Sequence, residues 1–189
     1  MAGFTALLDA CVLYPAPLRD LLIETAKTGI YRARWSDAIH EEWIAALLER
    51  RPDLAPEVLA RTRELMNKAI PDCLVTGYED VIPSLQLPDP DDRHVLAAAI
   101  AGRADVIVTF NLKDFPGTVL SAFGLEAQHP DTFLSHQMSL DPNGMLLAVR
   151  KIRRRLTNPQ KTPDEYLSTL RNNQLVLVAT ELEKTKSLL

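Results

Sequence analysis

The stretch 87–117, LPDPDDRHVLAAAIAGRADVIVTFNLKDFPG, carries acid at two places where acid is costly. Asp89, Asp91 and Asp92 crowd the start of an apolar helical run. Asp114 and Asn111 follow an apolar strand, Val106 to Thr109. Asp9 is as awkwardly placed, with Leu7, Leu8, Cys11, Val12 and Leu13 around it. A buried ionised carboxylate without partners is strongly disfavoured. Groups set out this way need hydrogen-bond donors, hydrated cations or cation-bound phosphates.

Helical phase separates the acids. At about 100° per residue, Val95, Leu96 and Ala99 define the inward face of a helix over 90–102. Asp92 projects near the middle of that face, and Asp89 and Asp91 fall to either side. Asp89 then suits the N-cap and Pro90 the first helical position. A helix after Ser36 or Asp37 carries Ile39, Trp43, Ala46 and Leu47 on one face. Glu42 lies at the edge of that stripe, one turn from Ile39 and Ala46, while Glu41 points away. His40 and His94 stand near these acids in sequence and are expected on helix surfaces, with an accessory role open to them.

The elements that position these acids alternate. FTALLD (4–9) reads as a buried strand, followed by a helix from about Leu18 to Thr28 with Gly29 as its C-terminal cap. YRARW (31–35) is a second strand, and Pro52 separates the helix after Ser36 from another over 56–69. LVTG (74–77) reads as a third strand, 106–109 as a fourth, and a short strand is expected near Leu125 to Gln128. Strands alternating with helices imply a parallel sheet. In such sheets, sites form outside the carboxyl ends of the strands, where Asp9 and Asp114 both fall. Residues 142–156, 163–172 and 174–187 read as helices, with Met145, Val149, Ile152 and Leu156 as one apolar stripe. The chain therefore divides into an α/β domain over 1–138 and a helical appendage over 139–189. The sheet should have four or five strands.

Bulk properties narrow the chemistry. The chain is 47% hydrophobic and 24% charged, a globular balance, and no apolar run is long enough to span a bilayer. Its start has no basic lead and an Asp interrupts its apolar run, unlike a signal peptide. Cys11 and Cys73 make neither a disulfide framework nor a zinc site, so a reducing cytoplasm is expected. Residues 1–140 hold 12 basic and 20 acidic residues, a net −8, and residues 141–189 hold 9 and 5, a net +4. The basic run Arg150, Lys151, Arg153, Arg154 and Arg155 is either a solvated face or a grip for a polyanion. Hard oxygen ligands such as Asp9, Glu42, Asp92 and Asp114 suit Mg²⁺ or Mn²⁺.

Residues 4–135 resemble a PIN domain. Asp9 after an apolar strand looks like the first acid of that family, and Glu42 in SDAIHEEW like the second. DPDDRHVLAAA and DVIVTFNLKDF look like the remaining two, Asp92 and Asp114, with Thr109, Asn111 and Asp89 in support. Where the family often has Thr, Ser or Asn after the first acid, this chain has Ala10 and Cys11. PIN domains are metal-dependent nucleases, and many bacterial ones are VapC-type toxins. The tail resembles the C-terminal helical extension of a subset of them. The resemblance implies an RNA substrate, Mg²⁺ or Mn²⁺, a cognate antitoxin encoded by an adjacent gene, and a homodimer in many relatives.

Two other classes compete. Phosphohydrolases of the haloacid-dehalogenase type also place an Asp after the first strand, but need a second two residues later, where this chain has Cys11. A PIN-like module kept only for binding would not need all four acid places filled.

Overall fold

The computed structural model describes residues 3–189. Four parallel strands form one sheet: β1 (Thr5–Leu8), β2 (Arg32–Arg34), β3 (Val106–Val108) and β4 (Glu126–Gln128), in the order β2-β1-β3-β4. β1 and β3 lie at its centre and are wholly buried, as expected for strands covered on both faces. Leu7 sits opposite Arg34 on one side and Ile107 on the other. That register sets the ends of β1 and β3 side by side.

Helices fill the crossovers. α1 (Ala10–Leu13) and α2 (Ala16–Ala26) follow β1. Gly29 then takes a left-handed φ of 84° in the turn toward β2. α3 (Asp37–Arg50) begins at Ser36, whose hydroxyl accepts the Ile39 N–H. α4 (Pro56–Ala69) follows. The helix expected over 90–102 is a 3₁₀ turn, Pro90–Asp92, leading into α5 (Arg93–Ala101). Asp89 caps that turn by accepting the Asp91 N–H at 2.9 Å. After β3 come α6 (Gly117–Leu120) and β4.

The strand expected over 74–77 is a correction. Only Leu74 bridges, to Trp35, and the backbone then leaves the sheet. Gly77, with φ 72°, sits in the turn that takes it away.

The C-terminal part is helical: α7 (Pro130–Leu140), α8 (Pro142–Arg155), α9 (Pro163–Asn172) and α10 (Val176–Glu183). The boundary expected at 138/139 falls inside α7, whose Phe133 and Leu134 belong to the common core. Asp131 ties α7 to α10: its two oxygens accept the Leu177 and Val178 N–H groups at 2.8 and 3.0 Å.

The basic run on α8 is largely structural. Glu24 on α2, with a side chain only 4% exposed, meets Lys27, Lys151 and Arg155, each at 3.0 Å. Arg153 donates to the Leu189 and Lys161 carbonyls. Arg150 and Arg154 are left exposed. Burial opposes ionisation of Glu24, but the three cations outweigh it and hold its pKa below the usual glutamate value. A depressed folded pKa stabilises above the unfolded value of about 4.3 and is lost as pH falls through the folded one. Glu24→Gln is therefore expected to cost about 2 kcal/mol at pH 7, a fall in Tm of several degrees. The penalty should shrink below about pH 4. Calorimetric melts of both forms at pH 7 and pH 3.5 check this.

Candidate active site

Asp9 is the first residue beyond β1 and only 4% exposed. It caps α1: the Ala10 N–H donates to its Oδ1 at 2.7 Å. Thr109, directly after β3, donates its hydroxyl to Asp9 Oδ2 at 2.7 Å. The adjacent strand ends make that contact possible. The Cys11 thiol donates to the same oxygen at 3.1 Å and itself accepts the Phe110 N–H at 3.3 Å. Ala10 and Cys11 therefore support Asp9 through a backbone amide and a thiol. Burial raises the Asp9 pKa, the charge of Glu42 adds to the rise, and the three donors oppose it.

Asp92 stands at the junction of the 3₁₀ turn and α5, half-buried. Its pKa is pushed up to about 6, first by burial and then by the charges of Asp9, Asp89, Asp114 and Glu42. The expected acids thus share one electrostatic neighbourhood, and Asp89 belongs to it as well. Asp9, Glu42, Asp92 and Asn111 line one cleft of about 360 Å³ with Ala10, Cys11, Tyr14, Trp43 and Ala46. Asp114, on a 3₁₀ turn over Leu112–Asp114, stays outside that lining, while Asn111 is in it. The Asn111 N–H donates to the Thr109 hydroxyl at 3.0 Å, so Thr109 links the Asp9 carboxylate to the loop that carries Asn111 and Asp114.

The two histidines depart from the surface reading. His40 is fully buried. Its Nδ1 accepts the Trp43 indole N–H at 3.0 Å, which leaves Nε2 to donate to Asn67 Oδ1 at 2.9 Å. Trp35 donates to the same Asn67 oxygen at 2.8 Å. This network fixes α3 against α4 and the end of β2. His94, with a side chain 14% exposed, places Nε2 2.8 Å from Glu42 Oε1. Its Nδ1 is buried and, among the described residues, has no hydrogen-bond partner. The neighbouring acids outweigh burial and raise its pKa, with the Glu42 hydrogen bond foremost among them. Sequence reasoning missed Tyr14 and the Glu42–His94 pair. The spacing of Glu42 and His94 in DAIHEEW and DDRHVL gave no sign that two helices meet there.

The donor set is all oxygen, matching a hard divalent cation. The mutual repulsion that lifts Asp92 is what such a cation would relieve. Among the described residues, no group of three or more His, Cys, Asp or Glu is arranged to hold a metal ion. Asp9 is engaged by Ala10, Thr109 and Cys11, and Glu42 by His94. A cation would have to draw the carboxylates together.

Known families match both parts of the chain. The PIN domain matches residues 5–113. The VapC50 C-terminal domain matches residues 130–184, which takes in the whole of α7. A curated relative, "Putative ribonuclease VapC50" of Mycobacterium tuberculosis (strain ATCC 25618 / H37Rv), is 39% identical over 94 residues. The aligned part spans 50% of this chain and 55% of the relative. No solved structure matches.

Proposed function

The chain belongs to the PIN-domain family, and on that footing we propose that it is a divalent-metal-dependent endoribonuclease, the toxin of a toxin–antitoxin pair. One observation carries the reading. Acids from separate elements, Asp9 after β1, Glu42 on α3 and Asp92 at the start of α5, line one cleft with Asn111, and burial together with the charges of Asp9, Asp89, Asp114 and Glu42 raises the Asp92 pKa to about 6. The relative named as a ribonuclease supports the RNA substrate, and the match over 130–184 supports the toxin subset.

Asp9, Asp92 and Asp114 would hold Mg²⁺ or Mn²⁺, with Glu42 as a further ligand or as the group that orients the attacking water. When bound, the cation offsets charge on the phosphate and makes water easier to deprotonate. Thr109 and Cys11 hold Asp9 Oδ2 in place. Asn111 presents an amide at the cleft mouth for a phosphate or sugar oxygen. Among the described residues, Arg150 and Arg154 are the cations of the basic run with no ion-pair partner, and the better candidates to grip the RNA backbone. Lys151, Arg153 and Arg155 serve that grip less, being tied to Glu24 and to backbone carbonyls.

An antitoxin would neutralise the cleft with an inserted Arg or Lys. A homodimer, a cytoplasmic location and the division into a PIN body and a helical extension complete the reading. Among the described residues, no helix is long and apolar enough to cross a membrane. A calorimetric titration with Mn²⁺ tests the metal: binding abolished by Asp92→Asn supports the enzyme, and no binding favours a non-catalytic module.

His94 gives a second test. Held at 2.8 Å, it fixes the rotamer of Glu42. His94→Leu is expected to slow RNA cleavage by about ten- to a hundredfold through misplacement of that carboxylate. His94→Gln, which keeps a donor at the same reach, should recover most of the rate. In a Glu42→Gln background His94→Leu should change little. Single-turnover cleavage of the four variants reads this out.

A further inference from the structure

The cleft has two chemically different walls. Asp9, Glu42, Asp92 and Asn111 form the polar one. Ala10, Tyr14, Trp43 and Ala46, from α1 and α3, form the other. Trp43 is 1% exposed and serves as a rigid floor. Its indole N–H is tied to His40, and the Arg19 guanidinium stacks over its ring at 4.9 Å from the centroid. Arg19 is in turn held by the Leu13 carbonyl at 2.7 Å. Ala46 lies one helical turn after Glu42, and its small side chain leaves space between α3 and α1. Tyr14, the residue that ends α1, is half-buried along the side of that space.

We propose that this apolar wall is a nucleobase subsite, in which Tyr14 stacks on a base of single-stranded RNA next to the phosphate facing the acids. The proposal rests on the ribonuclease reading and extends it from the phosphate to the base. Continuity carries it: acids and aromatic ring line one cleft, so a phosphate drawn to the acids brings its attached nucleoside to Tyr14. Every base has a π-face, so stacking on an aromatic ring tolerates any sequence. The surface around the acids alone would repel RNA, and an uncharged wall gives the strand a favourable contact there.

The test uses the full chain in the Asp9→Asn background, so that binding is read without cleavage. Fluorescence anisotropy follows a labelled eight-nucleotide single-stranded RNA and a set of the same oligomers with one abasic sugar moved along the strand. One abasic position is expected to weaken binding about tenfold, and Tyr14→Ala to weaken the intact oligomer by a similar factor. In the Tyr14→Ala chain that same abasic position should cost nothing further. Tyr14→Phe and Tyr14→Trp should bind like the parent. Ala46→Leu, at an exposed helix position where folding is safe, should weaken binding by filling the space. In chains that retain Asp9, Tyr14→Ala should raise KM and leave kcat within about twofold. Independent effects of Tyr14→Ala and of every abasic site would overturn the proposal, as would Tyr14→Phe behaving like Tyr14→Ala. If Asp9→Asn itself leaves RNA cleavage intact, the ribonuclease reading fails instead, and that result is read separately.

Discussion

Asp9→Asn is expected to reduce RNA cleavage on the order of 10³-fold, the scale on which a single preorganised electrostatic group acts in a transition state. The loss should come without unfolding. Asp9 is 4% exposed and its pKa is already raised by burial, so removing its charge lightens a desolvation cost. The amide oxygen can keep the contacts from Thr109 and Cys11. Its NH₂ then faces the Ala10 N–H, a donor against a donor, at a cost of about 1–3 kcal/mol. The two effects oppose each other, and a melt within a few degrees of the parent is expected. A folded variant with near-parental activity would mean that the chemistry lies elsewhere. In cells the same variant should relieve growth arrest caused by expressing the chain alone.

Asp92→Asn should do two opposite things. It should abolish cleavage and stabilise the metal-free protein. The Asp92 pKa rises to about 6 because of burial and the surrounding acids. A raised folded pKa contributes stability fully present below the unfolded value of about 3.9 and lost as pH rises through the folded one. At neutral pH the ionised side chain is therefore a liability. Because Asp92 is only half-buried, solvent screening reduces the value of the shift to about 1–2 kcal/mol. The variant should melt roughly 3–6 °C above the parent at pH 7 without metal. The gap should close below about pH 4, where the parent is protonated too. Added Mn²⁺ should raise the melting temperature of the parent and not of the variant, since a ligand stabilises only the form that binds it. A variant less stable than the parent at pH 7 would remove the repulsive cluster from the account.

Much of this was legible in the chain. Asp9 could be placed at a strand end because the apolar run Ala6, Leu7 and Leu8 precedes it and polar residues follow the other central strand. Asp92 could be told from Asp89 and Asp91 because helical phase survives even though the first three residues wind as 3₁₀. What pattern could not reach were contacts between distant elements. Glu42 and His94 lie 52 residues apart, and while Glu42 was expected at the site, His94 looked like a helix-surface residue with nothing in the spacing to pair the two. Lys151 and Arg155 read as free cations because Glu24, their partner, sits on a helix more than a hundred residues earlier. His40 looked exposed because its burial comes from α4, through Asn67. LVTG has the composition of a strand, but the backbone pairs at one residue before Gly77 turns it away. α7 was absent from the sequence reading although Pro130 starts it and the apolar Phe133, Leu134 and Met138 punctuate it.

The chain is expected to cleave RNA only with a divalent cation held by these acids. The most direct test is cleavage of purified single-stranded RNA by the EDTA-stripped chain as Mn²⁺ is added back. No cleavage in EDTA, a saturable rise with Mn²⁺, and no rise for Asp9→Asn is the expected result. Cleavage that persists in excess EDTA, or that returns equally in Asp9→Asn, would contradict it.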